Sequence, residues 1–293
     1  MTGLPTVGDA VRKAAEALGP VSDSPRLDAE LLMAHALGVS RSDVLLRHMR
    51  DEAPAGFAAL LNRRMAHEPV AYIIGNQEFY GLDFAVSPAV LIPRADSETL
   101  IEAATQAFAG RAPQRIIDLG TGSGALLLAA LSIWPEAQGV GIDRSTDALA
   151  VASGNAERLG MANRARFLQA DWTQEGWSDG LGRFDLVLSN PPYVETEAEL
   201  APQVREHEPA GALFAGAEGL DDYRVLIPQI PALLAPNGVA LVEIGAAQDE
   251  AVTAIAAAVE LFATLHRDLG NRPRALELVV KHNISLGKRP GDH

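Results

Sequence analysis

The chain has 293 residues, 48% of them hydrophobic, which is enough for one large domain or two unequal ones. It contains no cysteine, which excludes disulfides, thiolate nucleophiles and Cys-ligated zinc. The formal net charge is −14 and no basic cluster is visible, which argues against a protein that wraps DNA or RNA. Polar first residues, and no apolar run approaching the roughly 18 residues of a membrane span, predict a cytoplasmic protein without membrane contact.

The pattern along the chain divides it into two predicted domains. Residues 1–78 carry apolar side chains at helical spacing, so we predict a small helical bundle. In residues 79–93, glycines and prolines separate short aromatic and β-branched segments, which predicts a β-hairpin linker. Residues 94–281 form the predicted second domain, and the polar tail 282–293 is expected to be disordered.

Strands and helices alternate through the second domain. We predict helices near 97–108, 148–159, 223–234 and 251–262, a further helix directly after the glycine-rich loop, and strands near 115–119, 139–142, 165–169, 184–189, 239–244 and 275–280. This alternation predicts an α/β fold whose mostly parallel sheet is doubly wound by helices.

A glycine-rich loop, Gly120–Gly124, follows the first strand of that sheet and is called the glycine loop below. Glycines let the backbone approach a ligand, and the start of the next helix offers free N–H groups. The spacing also satisfies a dinucleotide-binding pattern, so the loop alone leaves the ligand open. At the next strand end, Asp143 could hold a ribose in either case. The predicted cofactor residues of this region are Asp118, Gly120, Thr121, Gly122, Ser123, Gly124, Asp143 and Arg144.

Two carboxylates favour S-adenosylmethionine over a dinucleotide. Asp118 lies just before the glycines, where its charge would repel a pyrophosphate but attract the ammonium of an aminoacyl ligand. Asp171 follows the third strand as an acceptor for an exocyclic amine, with the ring of Trp172 beside it. The alternatives are an aspartate that only caps its own loop and a tryptophan that is only packed. An adenosyl ligand with an amino-acid tail is S-adenosylmethionine, which leaves S-adenosylhomocysteine as the product.

The segment Asn190–Tyr193, here called the Asn-Pro-Pro-Tyr motif, follows a predicted buried strand. Its prolines end the strand, so Asn190 lies at the carboxyl end, where open α/β sheets bind ligands. The Asn190 side chain and the Pro191 carbonyl can present two oxygens, while Pro192 and Tyr193 wall the pocket, and Asn190 is also expected to contact the cofactor. Two acceptors and a ring suit the planar –NH2 group of an amide or a nucleobase. The alternative is a strand end with a proline stop.

These motifs resemble the HemK/PrmC-type protein-(glutamine-N5) methyltransferases that modify peptide chain release factors. The resemblance covers nearly the whole chain, and its most specific parts are the Ile-Pro-Arg motif, Ile92–Arg94, and the Asn-Pro-Pro-Tyr motif. One departure is Ala95–Glu98, where Ala-Asp-Ser-Glu replaces the usual Pro-Glu-Thr-Glu. The matching segments are 69–75, 79–81, 91–94, 118–125, 190–194, 208–209, 219–220, 223–224 and 243–245.

The resemblance implies a class I methyltransferase with a Rossmann-like sheet, preceded by a helical domain that helps dock the protein substrate. That substrate is a peptide chain release factor, methylated on the glutamine of its Gly-Gly-Gln motif. We expect a monomer, no direct contact with nucleic acid and no metal, since the seven histidines show no ligand spacing.

Our hypothesis for the chemistry concerns the weak nucleophilicity of an amide nitrogen. The Asn190 side-chain oxygen and the Pro191 carbonyl would accept the two N–H bonds of the glutamine amide. Such bonds strengthen as the nitrogen becomes pyramidal and positive, and they aim its lone pair at the sulfonium methyl. No strong base is required.

Several other functions remain open from the sequence. A sister glutamine methyltransferase acting on a large-subunit ribosomal protein would share almost every motif. N6-adenine or guanine-amino methylation of DNA or RNA also uses Asn-Pro-Pro-Tyr, although the acidity and the Ile-Pro-Arg segment count against it. A nucleotide-binding module without activity leaves that motif unexplained, and a nicotinamide dehydrogenase leaves Asp118 unexplained as well.

Overall fold

The computed structural model of the chain describes residues 5–281, so the predicted disorder of the tail 282–293 lies outside the described residues. The described chain divides into two compact units. The first comprises the residues up to Asn76 together with Leu200–Glu208, and the second comprises the rest. The inclusion of the distant segment Leu200–Glu208 in the first unit is not foreseen by the sequence, and the docking role of this unit remains a prediction.

The first unit is helical. Thr6 caps its first helix by accepting a hydrogen bond from the Asp9 backbone N–H, and Gly38 ends the second in a left-handed conformation. A π-helical turn, Val44–His48, follows the third helix directly. The α-helices are α1 (Val7–Leu18), α2 (Pro25–Leu37), α3 (Arg41–Asp43), α4 (Phe57–Met65), α5 (Val70–Ile74) and, in the distant segment, α9 (Pro202–Arg205).

A buried ion pair ties the parts of the first unit together. Arg64 on α4 donates from Nε to the Asp28 carboxylate at 2.8 Å, and both side chains are almost fully buried. Its Nη2 donates to the Val21 carbonyl at 3.3 Å and to the Gln203 side chain of α9 at 2.9 Å. The guanidinium therefore holds α2, α4 and the Leu200–Glu208 segment against one another.

The second unit begins in a β-hairpin and continues as an α/β sheet. Its hairpin strands are β1 (Asn76–Phe79) and β2 (Leu82–Ala85). The remaining strands are β3 (Arg115–Leu119), β4 (Gln138–Asp143), β5 (Ala165–Gln169), β6 (Phe184–Ser189), β7 (Leu234–Glu243), β8 (Leu261–Arg267) and β9 (Pro273–Val280). The helices are α6 (Glu98–Ala107), α7 (Ala125–Ile133), α8 (Thr146–Arg158), α10 (Asp221–Leu226), α11 (Ile230–Leu233) and α12 (Asp249–Ala258).

Within the described residues the large sheet has seven strands in the order β5-β4-β3-β6-β7-β9-β8. The first five pair in parallel, whereas β9 runs antiparallel between β7 and β8. The chain order reverses beside β3, the strand that feeds the glycine loop. In open α/β sheets such a switch point opens a crevice at the carboxyl ends of the strands. The predicted doubly wound, mostly parallel sheet is thereby confirmed.

Both faces of the sheet are buried, because successive residues of each strand point to opposite sides. Ile116 of β3 packs in one core with α6 and α7, where Leu100 and Leu127 are fully buried. Ile117 packs in the other core, which Tyr223 of α10 and Val252 of α12 complete. The predicted buried strands are continuous apolar runs because helices cover both faces of the sheet.

Three predicted elements are wrong in detail. The strand predicted near 239–244 is β7 and begins earlier, at Leu234. The helix predicted near 251–262 ends at Ala258, and Leu261–Arg267 forms the unforeseen strand β8, because Glu260 adopts a left-handed φ of 59° that breaks the helix. The helix predicted near 223–234 is divided into α10, a 3-10 turn and α11, since Pro228 and Pro231 each lie in the first turn of a new piece.

Candidate active site

The carboxyl ends of the parallel strands enclose a cavity of about 330 Å³ in the second unit. The glycine loop lies at its floor, and the loops after β4, β5 and β6 form its walls. The segment from Ala89 to Arg94, which precedes α6, lines the opposite side. The volume and the mixed lining are those of a small-molecule site.

The glycine loop is held close to β4 by backbone hydrogen bonds. The N–H groups of Gly120 and Thr121 both donate to the Ile142 carbonyl, at 2.9 and 2.8 Å. Gly120 has a φ of +77°, and a Cβ added there would lie 3.1 Å from the Trp172 ring. Glycine at this position therefore leaves room for the indole and permits the left-handed turn.

Asp118, near the end of β3, is only 1% exposed and lies directly beneath the loop. One carboxylate oxygen accepts a hydrogen bond of 2.7 Å from the Thr121 hydroxyl, whereas Oδ1 is buried and forms no hydrogen bond with any residue that the structure describes. Burial, assisted by the nearby Asp143 charge, raises the pKa of Asp118 to about 7. An unsatisfied buried carboxylate oxygen is costly unless a donor arrives, so this atom fits an ammonium ligand.

Asp143 ends β4 and is held by two backbone donors. Its oxygens accept from the N–H groups of Gly122 at 3.0 Å and Ser145 at 2.9 Å. The fixed carboxylate lines the cavity, where its remaining lone pairs suit a diol. Arg144 lines the cavity as well, and its guanidinium donates to the Gly211 carbonyl at 2.8 Å.

Asp171 and Trp172 follow β5 and form the next wall. Thr173 donates to Asp171 from both its backbone and its hydroxyl, and these bonds hold the pKa of Asp171 below its ordinary value. The Trp172 indole N–H donates to Asp222 on α10 at 3.1 Å, which fixes the ring beside the glycine loop. Asp222 also lines the cavity, and burial raises its pKa.

Asn190 stands at the end of β6, on the wall shared with the Ala89–Arg94 side. Its Nδ2 donates a long hydrogen bond of 3.4 Å to the hydroxyl of Ser97, which is 4% exposed and precedes α6. The amide oxygen is therefore the end of the side chain directed away from Ser97. Pro192 also lines the cavity, whereas Pro191 is buried and is not among the lining residues.

Tyr193 closes the Asn-Pro-Pro-Tyr motif but is not among the residues that line the cavity. Its hydroxyl donates to Glu243 at 3.2 Å, and burial raises the pKa of this tyrosine. Glu243, the last residue of β7, is 1% exposed, and burial raises its pKa to about 7. The Glu243 backbone carbonyl accepts a hydrogen bond from the Tyr223 hydroxyl, and the Gln248 side-chain amide donates to the Tyr193 carbonyl. These bonds hold the end of the motif in place.

The structure thus brings together most of the predicted site residues around one cavity. The lining includes Gly120, Thr121, Gly122, Ser123, Asp143, Arg144, Asp171, Trp172, Asn190 and Pro192. Four predicted residues are not among the lining residues: Asp118, Gly124, Pro191 and Tyr193. Three further residues of this region are not foreseen from the sequence: Ser97, Asp222 and Glu243. No local signal marks Ser97 or Asp222, and Glu243 lies in a family-like segment whose chemistry the pattern does not reveal.

The charges around the cavity suit a cationic ligand. Asp143, Asp171 and Asp222 line it together with two arginines, Arg94 and Arg144, which both have interaction partners within the protein, and Asp118 lies beneath the glycine loop. S-adenosylmethionine carries a sulfonium and an ammonium, whereas a dinucleotide brings a pyrophosphate that these carboxylates would repel. The Asp118 oxygen that forms no hydrogen bond and the glycine at position 120 both fit S-adenosylmethionine.

The seven-stranded sheet and the cavity at its carboxyl edge define a class I S-adenosylmethionine-dependent methyltransferase. A model described as a methyltransferase domain matches residues 112–284, and one described as the PrmC N-terminal domain matches residues 9–75. The release factor glutamine methyltransferase of Caulobacter vibrioides is 43% identical over 80% of this chain and 81% of its own length. That of Bradyrhizobium diazoefficiens is 42% identical over 87% and 88%. The chain therefore belongs to the family of release factor glutamine methyltransferases.

Among solved structures, a methyltransferase from Pyrococcus furiosus superposes on this chain with a TM-score of 0.50 at 16% identity. The match covers 75% of this chain and 94% of that one, and at this identity it supports the fold alone. Of the helices in residues 5–281, none has the length and apolar character needed to span a bilayer.

Proposed function

We propose that this protein transfers the methyl group of S-adenosylmethionine to the side-chain amide nitrogen, N5, of the glutamine in the Gly-Gly-Gln motif of peptide chain release factors. The observation that carries the proposal is the position of Asn190, which lines the same cavity as the glycine loop. An amide bound there lies beside the cofactor site. The names of the relatives cited above support the same substrate class.

The cofactor is assigned to the carboxylates and the glycine loop. Asp118 binds the ammonium of the amino-acid tail, Asp143 the ribose hydroxyls, and Asp171 the exocyclic amine of the adenine, which packs beside Trp172. The Gly120–Gly124 backbone leaves space for the tail. When bound, S-adenosylmethionine supplies a methyl group on a positively charged sulfur.

The substrate amide is assigned to the Asn-Pro-Pro-Tyr motif. Oδ1 of Asn190 and the Pro191 carbonyl accept the two N–H bonds of the glutamine side chain, and Pro192 packs against it. Amide nitrogen gains positive charge as it attacks, so these acceptors stabilise the transition state more than the ground state. They also hold the nitrogen lone pair in line with the methyl group. The cationic product loses its proton without a dedicated base.

We assign the first unit to docking of the release factor, which follows the match of residues 9–75 to the PrmC N-terminal domain. A monomer in the cytoplasm, where translation terminates, is part of the same proposal. The protein substrate, rather than nucleic acid, agrees with the formal charge of −14.

The test is a transfer assay with radiolabelled S-adenosylmethionine and a purified release factor. The expected result is label on the factor, and none on a factor whose Gly-Gly-Gln glutamine is changed to asparagine. A matched Asn190→Ala enzyme, shown to bind S-adenosylhomocysteine, controls for contaminating activity. Label on a large-subunit ribosomal protein or on DNA, with none on the release factor, would contradict the proposal.

A further inference from the structure

The Asn-Pro-Pro-Tyr motif is a short span that begins at a fixed point. It follows Ser189, which pairs within the sheet and donates from its hydroxyl to the Leu119 carbonyl at 2.8 Å. Pro191 and Pro192 each have a φ fixed by their rings, so few backbone torsions remain free within the motif. The way in which the far end is held therefore decides where the acceptors of the motif lie.

The far end of the motif, at Tyr193 and Val194, contacts two different loops. Val194 forms an isolated parallel bridge with Phe214, and its N–H donates to the Leu213 carbonyl at 2.8 Å. That bridge joins the motif to another loop and not to a strand of the sheet. The Tyr193 carbonyl accepts a hydrogen bond of 3.0 Å from Nε2 of Gln248. Because Gln248 lies between β7 and α12, its side chain ties the motif to the loop that leaves the sheet.

Both ends of the Gln248 side-chain amide have hydrogen-bond partners. Nε2 also donates to the Gly219 carbonyl at 3.2 Å, and Oε1 accepts from the Gly245 backbone N–H at 3.0 Å. The two carbonyls therefore face the two N–H groups of the amide, and a backbone N–H faces its oxygen. A reversed amide would set its oxygen against two carbonyl oxygens, so the hydrogen-bond network fixes one orientation of this side chain.

Two glycines leave the space that the Gln248 side chain occupies. A Cβ added at Gly245 would lie 2.8 Å from Oε1 of Gln248. A Cβ added at Gly219 would lie 2.2 Å from the Tyr193 carbonyl oxygen and 2.8 Å from Nε2 of Gln248. Both glycines lie in segments that resemble the family, 219–220 and 243–245, and the close approach of Gln248 is a physical reason for glycine at both positions.

We propose that Gln248 is a positioning residue for methyl transfer. It holds the Tyr193 end of the motif and thereby the placement of the Asn190 and Pro191 acceptors. The inference rests on the proposed function, because those acceptors bind the amide of the substrate glutamine. Gln248 is not among the residues that line the cavity, so its loss acts on the amide-binding geometry and leaves the cofactor groups unchanged. A displacement of about 1 Å in such a geometry costs about 100-fold in rate.

Two substitutions remove the contact in different ways, and each has a matched control. Gln248→Glu keeps the shape of the side chain but sets a carboxylate oxygen against two carbonyl oxygens. Its control is Arg164→Ala, which removes side-chain bonds to three backbone carbonyls away from the cavity. Gly245→Ala displaces an intact Gln248, at a glycine whose φ is not in the left-handed region. Its control is Gly154→Ala in α8, where φ is likewise ordinary and nothing lies within 4 Å of the added Cβ.

The first measurement follows the peptide bond between Tyr193 and Val194, which is the only Tyr-Val pair in the sequence. With ¹³C in the tyrosine carbonyls and ¹⁵N in the valine amides, this pair gives a single NMR cross-peak. We expect the cross-peak to shift in Gln248→Glu and Gly245→Ala and to stay in place in both control variants. An unchanged cross-peak in both test variants would overturn the proposal. This readout needs no methyl transfer, so it is independent of the proposed function.

The second measurement is a double-mutant cycle in the release-factor assay. Gln248→Glu and Gly245→Ala should each lower kcat by about 10- to 100-fold, while the dissociation constant for S-adenosylhomocysteine changes less than about twofold. In the Gln248→Ala background, Gly245→Ala should have almost no further effect, because its Cβ then has no side chain to displace. Fully multiplicative losses, or an unchanged kcat in both test variants, would overturn the proposal. Inactivity of the unaltered enzyme would instead contradict the proposed function, and the NMR comparison would still decide whether Gln248 holds the motif.

Discussion

The Asp118 carboxylate accepts a hydrogen bond of 2.7 Å from the Thr121 hydroxyl, three residues further along the chain. Both side chains are buried, and within residues 5–281 the second oxygen of Asp118 forms no hydrogen bond. The protein therefore holds a carboxyl group whose burial raises its pKa to about 7, beneath the loop expected to receive a cation. This arrangement has measurable consequences for both binding and stability.

Binding of S-adenosylhomocysteine should strengthen as the pH rises through the pKa of Asp118. An ammonium binds the ionised carboxylate, so below about pH 7 a proton must leave on binding, and affinity should fall by up to roughly tenfold per pH unit. Calorimetric titrations between about pH 5.5 and pH 7.5 measure this dependence. Asp118→Asn should bind more weakly with a flatter profile, and an unchanged slope in that variant would assign the proton to another group.

The same substitution should raise the stability of the ligand-free protein at neutral pH. The pKa of Asp118 is raised from about 3.9 in the unfolded chain to about 7 in the native state, so the native state binds more protons in this window. Its stability contribution therefore falls as the pH rises from about 4 to 7, whereas asparagine has no such dependence. Melting temperatures of both proteins across this range should diverge toward neutral pH. A constant difference between the two melting temperatures across this pH range would contradict the raised pKa of Asp118.

Gly120→Ala should weaken cofactor binding by displacing Trp172. The added Cβ would lie 3.1 Å from the indole ring, and the φ of +77° adds backbone strain. Gly160→Ala is the matched control, because its φ is +70° and nothing lies within 4 Å of the added Cβ. Both variants should lose about 1 kcal/mol of stability through strain. Only Gly120→Ala should lower the affinity for S-adenosylhomocysteine, measured by calorimetry, and equal affinity in the two variants would reject the contact.

Asn190→Ala should remove catalysis and leave the cofactor in place. Loss of a hydrogen bond that forms with developing charge lowers kcat by about 10²–10³-fold. Affinity for S-adenosylhomocysteine should remain within about twofold, since the cofactor groups lie on other loops. Single-turnover transfer to a release factor and calorimetry of the cofactor separate the two effects. An equal loss of kcat and of affinity for S-adenosylhomocysteine would exclude the role assigned to the Asn190 side chain.

Arg64→Ala should destabilise the first unit by about 3–5 kcal/mol, because it leaves Asp28 as an unpaired buried charge. Arg63→Ala, on the same helix, removes a more exposed pair with Glu68 and should cost less than about 1 kcal/mol. The three tryptophans all lie in the second unit, so urea unfolding is best followed by far-ultraviolet circular dichroism. Hydrogen exchange should also rise in Leu200–Glu208, and unaltered protection there would contradict the anchoring by Gln203.

Much of the fold follows from local sequence because the decisive signals are local. Buried parallel strands are short apolar runs, and glycines with positive φ mark the turn after β3. Errors arose where a neighbouring strand decides the structure. The segment Leu261–Arg267 directly follows α12, and its identity as β8 depends on antiparallel pairing with the next strand, β9, rather than on its own residue pattern.

The same distinction, between local sequence signals and contacts formed on folding, applies to the candidate site. The glycine loop, the carboxylates at the strand ends and the Asn-Pro-Pro-Tyr motif can be recognised from sequence alone, because each is a contiguous segment whose residue types match a chemistry. The contacts of Ser97 and Glu243 with that motif, and of Asp222 with Trp172, become visible in the folded chain. These contacts join residues at least fifty positions apart, and side-chain hydrogen bonds across such distances depend on how strands and helices pack.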